Sequence, residues 1–224
     1  MSVKIHNLGS EKGRQSAIVA AISTSLVREF KKREKVVLVV PGGRTAKLIL
    51  PVLSQLDLPW NRITVLPADE RWVPKDHDDS NEGLIAATMS SAIKKGARLL
   101  GIKTDGADPF KELETIEAKL TAIELPLAVV FLGMGEDGHV ASIFPFDSRQ
   151  ESPKGMVCAT LRPDHPRVSL TPRLLLNSTR IVLAVSGKAK YDVIAEALQP
   201  GDADALPVRF VLHQDQTTVD VFTC

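Results

Sequence analysis

Aromatic side chains make up only 4% of the 224 residues, and cysteine occurs twice, at Cys158 and Cys224. So few aromatics are a poor basis for the stacking platforms that bind single-stranded nucleic acid. Two cysteines cannot make a disulfide framework, so a reducing, cytoplasmic setting is expected. An excess of either charge is also missing: 28 Lys and Arg stand against 27 Asp and Glu, a formal net charge of +1. That balance argues against a nucleic-acid partner. No apolar run approaches the roughly 20 residues of a membrane helix, and the opening MSVKIHNLGSEKGRQ has no apolar stretch of a secretory signal.

Several chemistries are excluded in the same way. The five histidines, His6, His77, His139, His165 and His213, contain no H-x-x-x-H pair, and no Cys/His spacing suits zinc, so no metal is expected. There is no G-x-S-x-G nucleophile elbow and no G-x-x-x-x-G-K-[ST] phosphate loop. If the protein is a hydrolase, water is the expected nucleophile.

What is present is an alternation of two periodicities. Ser10 stands where it can cap a helix whose apolar face carries Ile18, Val19, Ile22, Leu26, Val27 and Phe30. Val36–Val40 is an unbroken apolar run, β-branched but for Leu38, the pattern of a strand covered on both faces. Further strands are expected at 3–6, 63–66, 127–132, 156–160 and 181–185, with helices at 45–56, 81–93, 109–123 and 189–198. The segments 208–212 and 218–222 read as short strands near an edge. The polar stretch Phe146–Gly155 is too short to mark a domain boundary, so residues 1–224 are expected to form one domain. The fold class is α/β: an open, mostly parallel sheet with helices on both faces.

Ligands of such sheets bind beyond the carboxyl ends of the strands, and there the unusual residues collect. After the strand at 36–40 comes Pro41-Gly42-Gly43-Arg44-Thr45, a glycine turn opening a helix, which suits a phosphate. Thr45 adds a hydroxyl donor or serves as a cap. After the strand at 63–66 comes Asp69-Glu70-Arg71, where two carboxylates beside a guanidinium can bind sugar hydroxyls or hold each other in place. In the loop that follows, Ser80 or Asn81 caps the next helix, and His77 reads as an ordinary polar loop residue. After the strand at 127–132 comes Gly133-Met134-Gly135-Glu136-Asp137-Gly138-His139. Its glycines satisfy G-x-G-x-x-G. The motif lies mid-chain, however, with acids where a pyrophosphate would approach and no acid ending the next strand, so a dinucleotide site is disfavoured. Read instead as Asp-x-His, it sets a carboxylate beside an imidazole, the side chain suited to proton transfer near neutrality, with glycine N–H groups on hand for an oxyanion. Lys188 and Lys190 open a helix after the strand at 181–185, and Arg162, Arg167 and Arg173 are scattered cations.

Taken together, GGRT (42–45), DERWVP (69–74) with HDDSN (77–81), LGMGEDGHVASIFP (132–145), PRVSLT (166–171) and SGKAK (186–190) resemble the 6-phosphogluconolactonase family. The likeness extends from about Val36 to Leu198. It implies a modified Rossmann-like fold shared with glucosamine-6-phosphate deaminase and ribose-5-phosphate isomerase. It also implies hydrolysis of 6-phospho-D-glucono-1,5-lactone, the second step of the oxidative pentose phosphate pathway, without metal or organic cofactor. The implied partner is that small sugar-phosphate lactone, and the expected assembly is a monomer or small homo-oligomer. By position, the resemblance makes His139 the general base with Asp137 in the same turn, and Arg71 a substrate-site residue alongside Asp69. It makes Gly42, Gly43, Arg44 and Thr45 the phosphate-side turn, with Arg167 and Lys190 as phosphate binders. The chain departs from the pattern at Ala46, where proline is common, and at Asp164-His165-Pro166, which replaces a Ser-Pro-Lys-Pro-like approach to Arg167. A deaminase of the same fold resembles D-G-H-x-x-x-x-E; here that last position is Phe144. A sugar-sensing regulator would need room for a DNA-binding helix pair, and a dehydrogenase would need the dinucleotide turn.

Overall fold

The computed structural model describes residues 3–147 and 155–224, so most of the polar stretch Phe146–Gly155 lies outside the described residues. The chain runs β1 (Val3–Asn7), α1 (Glu11–Glu29), β2 (Val36–Val40), α2 (Gly43–Gln55), β3 (Ile63–Pro67), β4 (Asp69–Arg71), α3 (Asn81–Thr88), α4 (Ser90–Lys94) and β5 (Arg98–Leu99). It continues through α5 (Leu113–Leu120), β6 (Val129–Gly133), β7 (Val157–Thr160), β8 (Arg167–Leu170), α6 (Pro172–Leu176), β9 (Arg180–Ala184), α7 (Lys188–Ala197), α8 (Arg209–Leu212) and β10 (Thr218–Thr223).

Seven strands form one sheet in the order β1-β10-β9-β6-β2-β3-β5, and every neighbouring pair is parallel. All five side chains of β2 are buried, as a strand covered on both faces requires. Val36, Leu38 and Val40 point into a core with Phe131 and Val182, against α1 to α4. Val37 and Val39 point the other way, into a core with Val130, Leu132, Leu183 and Val221. Burying each such side chain contributes about 1.5–3 kcal/mol, so the alternation fixes the register of the central strands.

The second core is closed by α5 to α8 and by a second sheet, of which the sequence announced only the strand at 156–160. Strands β4, β8 and β7 form a separate antiparallel sheet whose Val157, Ala159, Val168 and Leu170 pack into that core. Two expectations for the tail are corrected. Residues 208–212 are not a strand: α8 turns there so that Val211 and Leu212 both enter the core, so short an apolar run being ambiguous between the two periodicities. Thr218–Thr223 is no edge strand, because β10 lies between β1 and β9 and Val3–Asn7 takes the edge. Ser10 and Ser80 cap their helices as expected, accepting from Gly13 N and Gly83 N. Thr45 is not a cap, since α2 already begins at Gly43 with Gly42 in the cap position.

The strand order locates a ligand site. From β2 the chain winds outward through β3 to β5, then returns to place β6 on the other side of β2 and winds through β9 to β10. The reversal falls between β2 and β6, and the crevice beyond their carboxyl ends is where open α/β sheets bind ligands.

Candidate active site

At that crevice lies a cleft of about 440 Å³. The turn after β2, the turn after β6, the start of α7 and the small antiparallel sheet form its walls. Gly42, Gly43, Arg44, Thr45, Asp69, Arg71, His139, Arg167 and Lys190 all line it. Residues up to 148 positions apart in sequence thus meet because their strands end side by side.

The turn after β6 is built around one contact. His139 Nδ1 lies 2.6 Å from Asp137 Oδ1, and the same oxygen accepts the backbone N–H of His139 at 3.2 Å. Burial alone would raise the Asp137 pKa, but the hydrogen bond and charge of His139 outweigh it and bring it down to about 2. The carboxylate is therefore anionic at neutral pH. It accepts Nδ1–H and leaves the lone pair on Nε2, which makes no hydrogen bond to the described residues. Gly138 takes φ +78°, a value that suits glycine, and Gly135 leaves room for the pair: a Cβ there would lie 2.2 Å from the His139 ring. The Gly135 N–H donates to the His139 carbonyl at 2.9 Å, so it is not free for an oxyanion, contrary to the expectation from sequence. No helix opens after this turn, so the strand–turn–helix context of a dinucleotide fingerprint is missing.

Cations gather around the imidazole in two groups. Lys190, half-buried at the start of α7, donates to the Met134 carbonyl. Burial, reinforced by the charge of Arg44, pushes its pKa below the ordinary lysine value. Gly43, at φ +70°, turns the chain into α2 beside them, and Gly42 lets Asn81 pack so closely that a Cβ would meet its Oδ1 at 1.7 Å. Arg71 and Arg167 form the second group, directly opposite each other in the β4–β8 register. Like charges so placed repel. Each has outer nitrogens engaged, Arg71 Nη1 with the Asp79 carbonyl at 2.7 Å and Arg167 Nη2 with Asp164 at 2.6 Å. Each also keeps a buried Nε with no partner among the described residues. A pair of arginines in that state is suited to an anion.

The Asp69-Glu70-Arg71 segment divides its labour. Neither carboxylate forms an ion pair with the Arg71 guanidinium. Asp69 is buried, and accepts from Ser142 Oγ at 2.5 Å and Asn81 Nδ2 at 3.3 Å, fastening the turn after His139 to the start of α3. Glu70 is fully buried and accepts the backbone N–H groups of Arg71, Asn81 and Glu82. Burial raises its pKa to about 7, partly offset by those amides.

Two neighbours escape a reading by motif. Phe144 packs against His139 at a tilt, with ring centroids 4.5 Å apart, while the guanidinium of Arg162 lies over its ring at 3.9 Å and that of Arg167 at 5.4 Å. Its place in an apolar pattern gave no hint of this. Arg14 in α1 is fully buried with Nε and Nη1 unpartnered among the described residues, and its charge bears on Lys190. An arginine within an otherwise apolar helix face was the available signal.

The family model of glucosamine-6-phosphate isomerases/6-phosphogluconolactonase matches residues 10–220. The chain belongs to this family. Its relatives include the 6-phosphogluconolactonase of Pseudomonas aeruginosa, 34% identical over 93% of this chain and 91% of that one, and that of Pseudomonas putida, 31% identical over 100% and 93%. Among solved structures, a 6-phosphogluconolactonase from Shewanella baltica superposes with a TM-score of 0.92 at 31% identity, covering 100% of this chain and 97% of its own. The family's fold and the cleft at the sheet reversal thus coincide in this chain.

Proposed function

We propose that the protein is a 6-phosphogluconolactonase that hydrolyses 6-phospho-D-glucono-1,5-lactone to 6-phosphogluconate within the oxidative pentose phosphate pathway. One observation carries the reading: an imidazole whose Nδ1 is held by an anionic carboxylate faces, with Nε2 unpartnered among the described residues, a cleft rimmed by four cations. A basic nitrogen for water and positive charge for a phosphate are what the reaction requires. The relatives named above support the substrate.

In this scheme the 42–45 turn, Lys190 and Arg167 hold the phosphate at the head of α2, which fixes the lactone carbonyl against His139. His139 Nε2 takes a proton from water as the oxygen attacks C1, and Asp137 stabilises the imidazolium. The negative charge that develops on the carbonyl oxygen is met by Arg71, whose Nε has no partner among the described residues, while the Gly135 N–H is already engaged. Collapse of the tetrahedral intermediate breaks the bond from C1 to the ring oxygen, and Nε2 returns its proton to that oxygen. Asp69 acts by fastening the turn that carries His139. The chain's own residues handle every proton and charge in the scheme. We further propose that residues 1–224 act as one domain, in the cytoplasm.

The test is a coupled assay in which glucose-6-phosphate dehydrogenase makes the lactone in situ and 6-phosphogluconate dehydrogenase reports the product. Added protein should accelerate product formation over the spontaneous blank, and His139→Ala should lose about 10²–10⁴-fold of that rate with KM little changed. Acceleration that survives the substitution rejects the base; no acceleration from folded protein rejects the activity.

A further inference from the structure

Outside the catalytic pair, two loops bring together a second constellation of ligand-type side chains. His77 and Asp79 lie on the loop between β4 and α3, and His165 on the loop between β7 and β8. The ligand atoms these three residues offer all lie within 4.8 Å of one another. His165 Nε2 is 3.2 Å from Asp79 Oδ2, and His77 Nδ1 is 3.9 Å from the same oxygen. The two rings meet edge to face with centroids 5.3 Å apart. His77 Nδ1 accepts the backbone N–H of Asp79 at 3.1 Å, so this nitrogen carries a lone pair, the form that binds a metal, and an ion would take it over from the amide.

We propose that His77, Asp79 and His165 form a site for one divalent transition-metal ion of the zinc type. Bonds of 2.0–2.2 Å in tetrahedral geometry separate ligand atoms by about 3.4 Å, so the observed spacing needs only rotamer adjustment to close. Two imidazoles with a single carboxylate favour zinc or its neighbours over magnesium or calcium, which take oxygen ligands. The three side chains are exposed or half-buried, which gives an ion a path from solvent and leaves open positions for water. Along the chain no metal spacing is visible, because His165 stands 86 residues beyond Asp79 and only the pairing of β4 with β8 brings it to the other two. The site also touches the catalytic cleft: the Asp79 carbonyl holds Arg71 Nη1, and His165 is two residues from Arg167. An ion here would cross-link the loops that carry both arginines.

The experiment titrates ZnCl2 into the chelator-treated full-length protein by calorimetry, with MgCl2 as the contrasting ion, and follows the thermal midpoint in parallel. One equivalent of zinc should bind and raise the midpoint, while magnesium does neither. His77→Gln and His165→Gln, each with its metal-free thermal midpoint compared with wild type, should each weaken zinc binding by about tenfold or more. His139→Ala should leave it unchanged. The two glutamine variants alter separate loops, so misfolding of one still leaves the other as a test. No zinc binding by the wild type overturns the proposal. So does undiminished binding in a folded glutamine variant, and so does binding lost only in His139→Ala, which would put the ion on the catalytic pair.

Discussion

Gly135 shows how closely the catalytic turn is constrained. Its backbone conformation is open to any residue, yet a Cβ would sit 2.2 Å from the His139 ring and 2.6 Å from the Asp137 carboxylate oxygen. Gly135→Ala should therefore lose most of the lactonase rate, approaching the His139→Ala level, with a thermal midpoint within a few degrees of wild type. A rate near wild type would show that the imidazole does not need this position. Asp137 gives a second test. Its carboxyl titrates at about 2 in the folded chain against an ordinary 3.8. The lowered value means that its stabilising effect is complete above pH ~4 and is lost as the pH falls towards 2. Because the side chain is nearly half exposed, solvent screens that effect and it is small. Denaturant titrations of wild type and Asp137→Asn should diverge least at pH 2, and any decline in rate above pH 4 is not protonation of this carboxylate. Residues of this kind were legible in the sequence, since Asp137, Gly138 and His139 sit in one short segment. The partners of Asp69 were not. Ser142 and Asn81 are 73 and 12 residues away, and nothing local marks them as its donors.

At the scale of elements, the long parallel strands were legible and the small sheet was not. Val36–Val40 declares itself by five consecutive β-branched or leucine residues, whereas β4 is three residues of Asp, Glu and Arg. A strand of that composition has no periodicity to read, and it exists because it pairs with β8. Its functional consequence is the Arg71–Arg167 register. Opposed arginines cost the free protein stability and gain it back when an anion lies between them. Inorganic sulfate should therefore raise the thermal midpoint of the wild type, and less so in Arg71→Met or Arg167→Met. Each charge-assisted hydrogen bond to an anion contributes about 1.5–3 kcal/mol, so either substitution should raise KM by about 10–100-fold. If Arg71 meets the oxyanion as proposed, Arg71→Met also lowers kcat while Arg167→Met leaves it nearly intact. Equal effects on kcat would remove that distinction.

At the scale of the whole molecule, the site belongs to no single element. The turn after β2, the turn after β6, the start of α7 and the β4–β8 pair each contribute a wall, and the sheet reversal between β2 and β6 is what sets them side by side. The order of strands was not readable from the sequence, because every parallel strand has the same local pattern and only long-range pairing decides its neighbours. A ligand in the cleft therefore bridges segments that separate on unfolding, and its binding energy adds to the stability of the entire chain. With the product 6-phosphogluconate at 100 times its Kd, linkage predicts about 2.7 kcal/mol of added stability. For a chain of this length that corresponds to a midpoint shift of roughly 5–10 °C. Hydrogen exchange should slow together in residues 41–45, 133–139 and 186–190, three segments far apart in sequence that meet at the cleft. Protection confined to one of them would mean that the product rests on a single turn, and the scheme in which phosphate and carbonyl are held by several segments at once would fail.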